Sequence, residues 1–325
     1  MARLLSGIQP TGTMHVGNYL GAIANWVRLQ AQYECCYAVV DLHAMTVPYD
    51  APTLRARVVE TAAGLLAAGI DPDRATLFVQ SDVPEHTELA WILSCVAPLG
   101  ELDRMTQFKE KSEDHKRQVT LGLYAYPVLQ AADILLYRAE AVPVGEDQVQ
   151  HLELTREIAR RFNARFGAVF PEPKPLLTET PRILGMDGLQ KMSKSKGNGI
   201  DLTEAPDAIR QKLKPAATDP ARKRRSDPGN PEVCNIFTLH RGFSPPASLE
   251  WAAAGCRSAG IGCLDCKARL ADHMVEHLRP VRERAAALAA DPARVTAVLA
   301  AGAARCRALA AATMADVRRV TGLRA

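Results

Sequence analysis

Gly7-Ile8-Gln9-Pro10-Thr11-Gly12-Thr13-Met14-His15-Val16-Gly17-Asn18 lies near the start of a 325-residue chain. It follows a short apolar run, Leu4-Leu5, and leads into Tyr19 to Tyr33, where Leu20, Ile23 and Val27 fall at helical spacing. Its glycines carry no Cβ, so the backbone can turn tightly and come close to a ligand. Pro10 and Thr11 stiffen the turn, and Asn18 is expected to cap the helix that follows. Strand, glycine-rich loop and helix N-terminus, in that order, make a site suited to phosphate. His15 stands where it can donate a hydrogen bond to that phosphate.

Working outward, Cys36-Tyr37-Ala38-Val39-Val40-Asp41 is short, apolar and β-prone, as a buried parallel strand would be. The polar cluster Asp41-Leu42-His43-Ala44 at its carboxyl end is expected to face the ligand crevice of a doubly wound sheet. Leu54 to Ala68 is helical in pattern and closed by Gly69; Thr76-Leu77-Phe78-Val79-Gln80 reads as a strand and Glu85 to Val96 as a helix. This β-α-β-α-β-α order predicts an α/β fold, a parallel sheet with helices on both faces. Ala141-Val142-Pro143-Val144 predicts a fourth strand, and Gly145-Glu146-Asp147-Gln148 turns into a helix from Val149 to Phe162. Between these parts lie a polar connection or insertion at 101–120 and a helix-like stretch, Leu121 to Tyr137, broken by Pro127. Pro171 to Pro181 reads as a linker. From Thr203 onward the pattern is mostly helical, at 204–213, 247–259, 266–289 and 291–321. The expected division is an α/β unit over 1–200 and an all-helical unit over 201–325.

With 47% hydrophobic and 23% charged residues, the chain has the composition of an ordinary soluble enzyme and is long enough for a large core. No apolar run of signal-peptide or transmembrane length is expected, which points to the cytosol. The net charge of +4 is uneven: residues 1–200 hold 20 Lys+Arg and 23 Asp+Glu, whereas residues 201–325 hold 20 and 13. A basic second part suits either nucleic acid or a solvated surface. Cys35, Cys36, Cys95 and Cys306 sit in apolar surroundings and are expected in the core. Cys234, Cys256, Cys263 and Cys266 are spaced C-x21-C-x6-C-x2-C. Four such thiolates can close a zinc site or hold an iron–sulfur cluster, or the cysteines can be plain core residues.

A second loop, Lys191-Met192-Ser193-Lys194-Ser195-Lys196, reads on its own as a basic surface loop. Paired with Thr13-Met14-His15-Val16-Gly17, it resembles the two signatures of the class I aminoacyl-tRNA synthetases, written HIGH and KMSKS. The second matches letter for letter; the first departs at Met14 and at Gly17-Asn18. Gly7 to Gly12, Asp41 to Ala44, Gly100 to Lys109, Ala131 to Tyr137 and Val142 to Gln148 resemble the tryptophanyl-tRNA synthetases in particular. The resemblance runs over roughly the whole chain and is strongest in residues 6–200.

This resemblance implies a Rossmann-type catalytic domain, a helical anticodon-reading domain and a homodimer. The implied reaction makes tryptophanyl-adenylate from L-tryptophan and ATP, then transfers the amino acid to tRNA(Trp). The attacking carboxylate arrives with the substrate, so the protein must supply positioning and charge stabilisation. The resemblance assigns catalysis to His15, Lys191 and Lys194. For ATP it implies Gln9, Pro10, Thr11, Gly17, Asn18, Gly145, Glu146, Asp147, Ile183, Met192, Ser193 and Ser195, with the two lysines and a reaching Lys111. Mg²⁺ would be held mainly by phosphates and water. It implies Asp133 as acceptor of the indole N–H, with His43, Tyr126, Gln130 and Gln148 beside it. Gln130 stands where the common bacterial pattern has Met, and Leu5 where Phe is frequent. The surroundings of Cys234, Cys256, Cys263 and Cys266 resemble the subset that carries a [4Fe–4S] cluster near the anticodon-reading region, with Zn²⁺ the alternative. Arg222 to Arg225, Arg241, Arg257 and Lys267 are expected to meet tRNA phosphates. A tyrosyl relative is disfavoured by Gly7 to Gly12 and Gly145 to Gln148. A non-catalytic tryptophan-sensing or RNA-binding relative is disfavoured by His15 and the complete 191–195 loop.

Overall fold

The computed structural model describes residues 1–105, 119–145, 148–177, 183–193 and 196–324. Strands β1 (Arg3–Ile8), β2 (Glu34–Val39), β3 (Ala75–Val79), β4 (Ala141–Val144) and β5 (Lys174–Leu177) form one parallel sheet in the order β3-β2-β1-β4-β5. The winding reverses between β1 and β4, which opens a crevice at their carboxyl ends. The doubly wound fold is therefore present, with one strand more than expected. β5 lies inside the stretch read as a linker. Pro175 has no N–H to give a ladder, and an edge strand is where a sheet tolerates that.

Side chains on the central strands alternate between two buried layers. Leu4, Tyr37, Val39, Leu77 and Val79 point into one; Leu5, Cys36, Ala38 and Phe78 point into the other. Both faces are covered, which explains the unbroken apolar runs. Tyr37 stacks on Trp26 at 4.8 Å and donates its hydroxyl hydrogen to the Trp26 carbonyl at 2.9 Å, so its polar end is satisfied inside the core. Cys35, Cys36 and Cys306 are buried as expected; Cys95 is exposed on the last turn of its helix.

The first loop leads into α1, made of Val16–Asn18, a π-helical segment Tyr19–Ile23, and Ala24–Leu29. Its cap is His15 rather than Asn18. The Asn18 N–H donates to His15 Nδ1 at 3.3 Å, and Asn18 Oδ1 accepts the His15 N–H at 3.1 Å. Each residue thus satisfies an end group of the helix that would otherwise be orphaned. The following helices are α2 (Asp41–Ala44), α3 (Ala51–Ala68), α4 (Glu85–Ser94), α5 (Leu99–Asp103), α6 (Leu121–Leu136) and α7 (Val149–Phe166). α6 runs through Pro127 without a break. The helical part comprises α8 (Pro206–Leu213), α9 (Asn235–Phe243), α10 (Pro246–Arg257), α11 (Cys263–Ala290) and α12 (Pro292–Thr321).

α12 returns to the sheet. It lies along β3, the edge strand, with Gly302 against the Leu77 carbonyl, where any Cβ would overlap the oxygen. Val295 and Leu299 join one buried layer; Cys306, Ala310, Met314 and Val317 join the other. Arg318 clamps Glu88 with two bonds of 2.8 and 2.6 Å. Covering the edge protects a row of backbone groups from pairing with another chain. α12 also corrects one expectation: by length and composition alone it is apolar enough to cross a membrane. In this fold its buried residues pack on the sheet edge instead.

Candidate active site

A cavity of about 260 Å³ opens at the carboxyl ends of β1 and β4. Leu5, Ser6, Gly7 and Gln9 form one wall, and Val142, Pro143, Val144 and Gln148 face them. His43 of α2 and Tyr126, Gln130 and Asp133 of α6 close it. A doubly wound sheet offers its ligand site at this switch point, because the two flanking loops diverge there. Gly7 keeps the wall thin, since a Cβ would press on the Val40 side chain at 2.7 Å.

The deepest polar group is Asp133, only 5% exposed. His43 Nε2 donates to Oδ2 at 2.7 Å; Gln80 Nε2 and His86 Nδ1 donate to Oδ1 at 2.8 and 2.6 Å. Burial pushes this carboxyl upward. The hydrogen bond from His43 and the attraction and hydrogen bond of His86 outweigh burial, so the carboxyl lies well below the usual carboxylate range. The result is an ionised acceptor in a wall of mixed polar and apolar side chains. Tyr126 meets His43 edge-on at 6.3 Å and is itself tied to His151 Nε2 at 2.8 Å.

The two signature loops meet at Gly17 and Met192. The Gly17 N–H donates to Met192 Sδ at 3.3 Å, and a Cβ at Gly17 would crowd both His15 and Met192. Val16 N–H donates to the Ile200 carbonyl and Leu202 N–H to the Met14 carbonyl, each at 2.9 Å. Buried Asn198 braces the second loop. Its Oδ1 accepts the Ser193 N–H at 2.9 Å and its amide donates to Asp187 at 3.2 Å. The His15 imidazole is pushed down, by burial first and by Lys191 as well, while Asp201 opposes this. Met14 is a core residue packed on Gly64. The leading histidine of the signature is therefore His15, and Asn18 stands at its last position.

A family profile described as tRNA synthetases class I (W and Y) matches residues 1–279. The tryptophan–tRNA ligase of Deinococcus radiodurans is 54% identical over 327 residues, covering 99% of each chain. That of Thermotoga maritima is 47% identical over 326 residues, again covering 99% of each. The chain belongs to the tryptophan–tRNA ligases. A solved tryptophanyl-tRNA synthetase of Campylobacter jejuni, complexed with ADP and tryptophan, superposes on this ligase with a TM-score of 0.86 at 35% identity, covering 99% of this chain and 100% of that one. A tyrosyl-tRNA synthetase from Archaeoglobus fulgidus shares the fold at 21% identity and a TM-score of 0.70.

Of the residues expected at the site, Gln9, His43, Tyr126, Gln130, Asp133 and Gln148 line the ligase's cavity together. Pro10, Met192 and Ile183 are buried, Thr11 and Lys191 are exposed, and Gly145 is half-buried at the end of β4. Glu146, Asp147, Lys194, Ser195 and Lys111 lie outside the described residues, as do 106–118 of the polar connection. Two important residues escaped the sequence reading, Gln80 and His86. Both follow β3 within a few positions, where polar side chains at a strand's carboxyl end should draw notice.

The four cysteines share one corner of the helical part. Burial pushes the Cys266 thiol up to about 12, with Cys234, Cys256 and Cys263 adding to the rise. Cys256 is raised by burial first, then by Cys234 and Cys263, against the lowering influence of Arg222. Four thiols within electrostatic reach of one another are the donor set that zinc or an iron–sulfur cluster requires. Yet among the described residues no group of three or more His, Cys, Asp or Glu stands placed to hold a metal ion. Two of the cations expected to meet tRNA are turned inward. Buried Lys267 donates to the Lys214 carbonyl at 2.9 Å, and Arg222 donates to the Ile261 carbonyl at 2.6 Å and the Arg225 carbonyl at 2.9 Å. Lys223 and Arg224 are both exposed.

Proposed function

We propose that the cavity between β1 and β4 is where this ligase activates L-tryptophan with ATP, before passing the aminoacyl group to tRNA(Trp). The observation that carries the reading is Asp133, an ionised acceptor in a slot where Leu5, Val40, Ile134, Val142 and Val144 supply apolar surface beside the polar groups. Indole offers one N–H donor and a broad apolar face, so a single buried acceptor suits it and is left unpaired by phenylalanine. The tryptophan carboxylate attacks the α-phosphorus of ATP, the bond to the bridging oxygen breaks, and pyrophosphate leaves. His15 serves as a donor: its Nδ1 is occupied by the Asn18 N–H, which leaves an Nε2–H for a phosphate oxygen. Lys191 and Lys194 supply positive charge for the leaving pyrophosphate. Gln9, Pro10, Thr11, Gly17, Asn18, Gly145, Glu146, Asp147, Ile183, Met192, Ser193 and Ser195 form the surrounding ATP site, with Mg²⁺ carried on the phosphates. His43, Tyr126, Gln130 and Gln148 complete the tryptophan pocket. ATP–pyrophosphate exchange should run with tryptophan and not with tyrosine; the reverse preference overturns the assignment.

Residues 201–325 form the anticodon-reading part in this proposal, supported by their excess of Lys and Arg. The enzyme acts in the cytoplasm, where ATP and tRNA meet. It works as a homodimer whose contact is the apolar surface around Trp91, Leu121, Met45 and Leu129; Trp91 is 74% exposed, which is unusual for an indole. Trp91→Glu should convert a sedimenting dimer into a monomer, and a wild type that sediments as a monomer sinks this part of the proposal.

For Cys234, Cys256, Cys263 and Cys266 the proposal is a [4Fe–4S] cluster that staples the helical part. Its support is the two-residue clip Cys263-Leu264-Asp265-Cys266 at the start of α11 and the mutual influence of the four thiols. When bound, such a cluster would cross-link α9, α10 and α11, and no step of the aminoacylation passes through it. Anaerobically purified protein should be brown and hold about four irons per chain. Colourless protein with one zinc would assign these thiols to zinc.

A further inference from the structure

Asp133 is gripped from behind by a residue that never reaches the cavity. His86, on the first turn of α4, is fully buried and does not line the pocket. Both ring nitrogens are engaged. Nδ1–H donates to Asp133 Oδ1 at 2.6 Å, and Nε2 accepts the Tyr137 hydroxyl hydrogen at 2.7 Å. The ring is also held by shape. It stacks on Phe78 at 6.0 Å, and Phe78 meets Tyr137 edge-on at 5.6 Å. Tyr137 is the C-cap of α6, the helix that carries Asp133, so the contacts form a closed loop from α6 through α4 and back.

The two carboxylate oxygens are thereby divided. Oδ1 takes two donors from the buried side, Gln80 and His86, while among the described residues Oδ2 takes the one from His43 at the cavity wall. An indole N–H can only donate. It needs an oxygen with an open lone pair aimed into the slot, and a carboxyl that has neither rotated nor taken up a proton. Resting on the reading of Asp133 as the indole partner, we propose that His86, backed by Tyr137, is the positioning residue for tryptophan specificity. It fixes which Asp133 oxygen faces the cavity and keeps that oxygen an acceptor.

The surroundings leave few other groups to do this. Asp133 is faced by His43 from α2, by Gln80 from the turn after β3 and by His86 from α4; behind them Tyr137 is flanked by Cys36 of β2 and Cys306 of α12. Removing His86 takes away an attraction for the ionised form while burial still opposes ionisation, so Asp133 would take up a proton at higher pH.

The test is ATP–pyrophosphate exchange with the full-length enzyme. His86→Leu should raise the KM for tryptophan about tenfold or more, the worth of one hydrogen bond to a charged group. The KM for ATP should hold, and the acid limb of kcat/KM for tryptophan should move to higher pH. His86→Asn, which keeps a donor toward Oδ1, should recover most of the loss. Tyr137→Phe, which removes one hydroxyl and little else, should raise the tryptophan KM by a smaller factor in the same direction. Tryptophan KM and pH limb unmoved in both His86→Leu and Tyr137→Phe overturn the proposal, as does an equal loss for ATP and tryptophan. Should His86→Leu fail to fold, Tyr137→Phe decides alone by the same criteria. Asp133→Asn is measured alongside. If it leaves the tryptophan KM unchanged, the reading of Asp133 falls and this proposal with it. If it loses tryptophan while Tyr137→Phe and His86→Leu are silent, the inference about His86 alone is overturned.

Discussion

Asp133→Asn is expected to lower kcat/KM for tryptophan by about 10²- to 10³-fold in pyrophosphate exchange, with the KM for ATP nearly unchanged. The substitution keeps the shape but replaces one acceptor oxygen with an NH₂ donor. Whichever way the amide turns, a donor meets either the indole N–H or the cluster of His43, Gln80 and His86. Stability should fall as well, because a buried donor left without a partner costs about 1–3 kcal/mol. Calorimetry of the two proteins separates the effects: a lower Tm with an unchanged tryptophan KM would refute the specificity role. The wild-type carboxyl also sets a pH signature. Its folded pKa is depressed below the ordinary 3.8, so its contribution to stability is complete above that value. The contribution should fade as the pH falls below 3.8, and the variant should lack that part of the acid dependence.

The second large effect concerns His15. His15→Ala is expected to reduce kcat by about 10²- to 10³-fold, in the range seen when a single donor to a transition-state oxyanion is removed. That substitution has two consequences at once, because His15 also caps α1. His15→Asn separates them. Asparagine is a good N-cap, so it should restore the helix end and the thermal stability lost in His15→Ala, which is about 1 kcal/mol. It has no group in place of Nε2–H and should remain slow. If His15→Asn regains most of the turnover, the histidine acts through the cap and not through phosphate.

Much of this enzyme is legible along the chain, and the illegible parts share a cause. Asp133 is singled out by the resemblance to the tryptophanyl-tRNA synthetases, whereas the first loop and the four strands it organises announce themselves through short-range patterns, glycine spacing and apolar runs. β5 does not, since Pro175 and its neighbours look like a linker until an edge partner at Val142 is supplied. Asn235–Phe243 is a second such case, a helix of nine residues outside the stretches read as helical. His86 and Gln80 are local in sequence yet gain meaning only through a residue some fifty positions away. Lys267 looks like a phosphate-binding cation by charge alone and is instead spent on a backbone carbonyl. In each instance the deciding partner is distant in the chain, and one-dimensional periodicity carries no information about it.

The seating of α12 on β3 bears on how the enzyme is made. Arg318 finds Glu88 across 230 positions, and Arg307 reaches the Asp82 carbonyl across 225. A ribosome working from the N-terminus therefore finishes the catalytic sheet long before it delivers the helix that covers its edge. Throughout that interval β3 presents unpaired backbone to solvent, the condition under which nascent strands seek the wrong partner. Contacts of such sequence separation are also the slowest to form. The aminoacylation site thus waits on the end of its own synthesis for protection, and this enzyme's yield in a cell should respond to chaperone supply more than the stability of its finished fold would suggest.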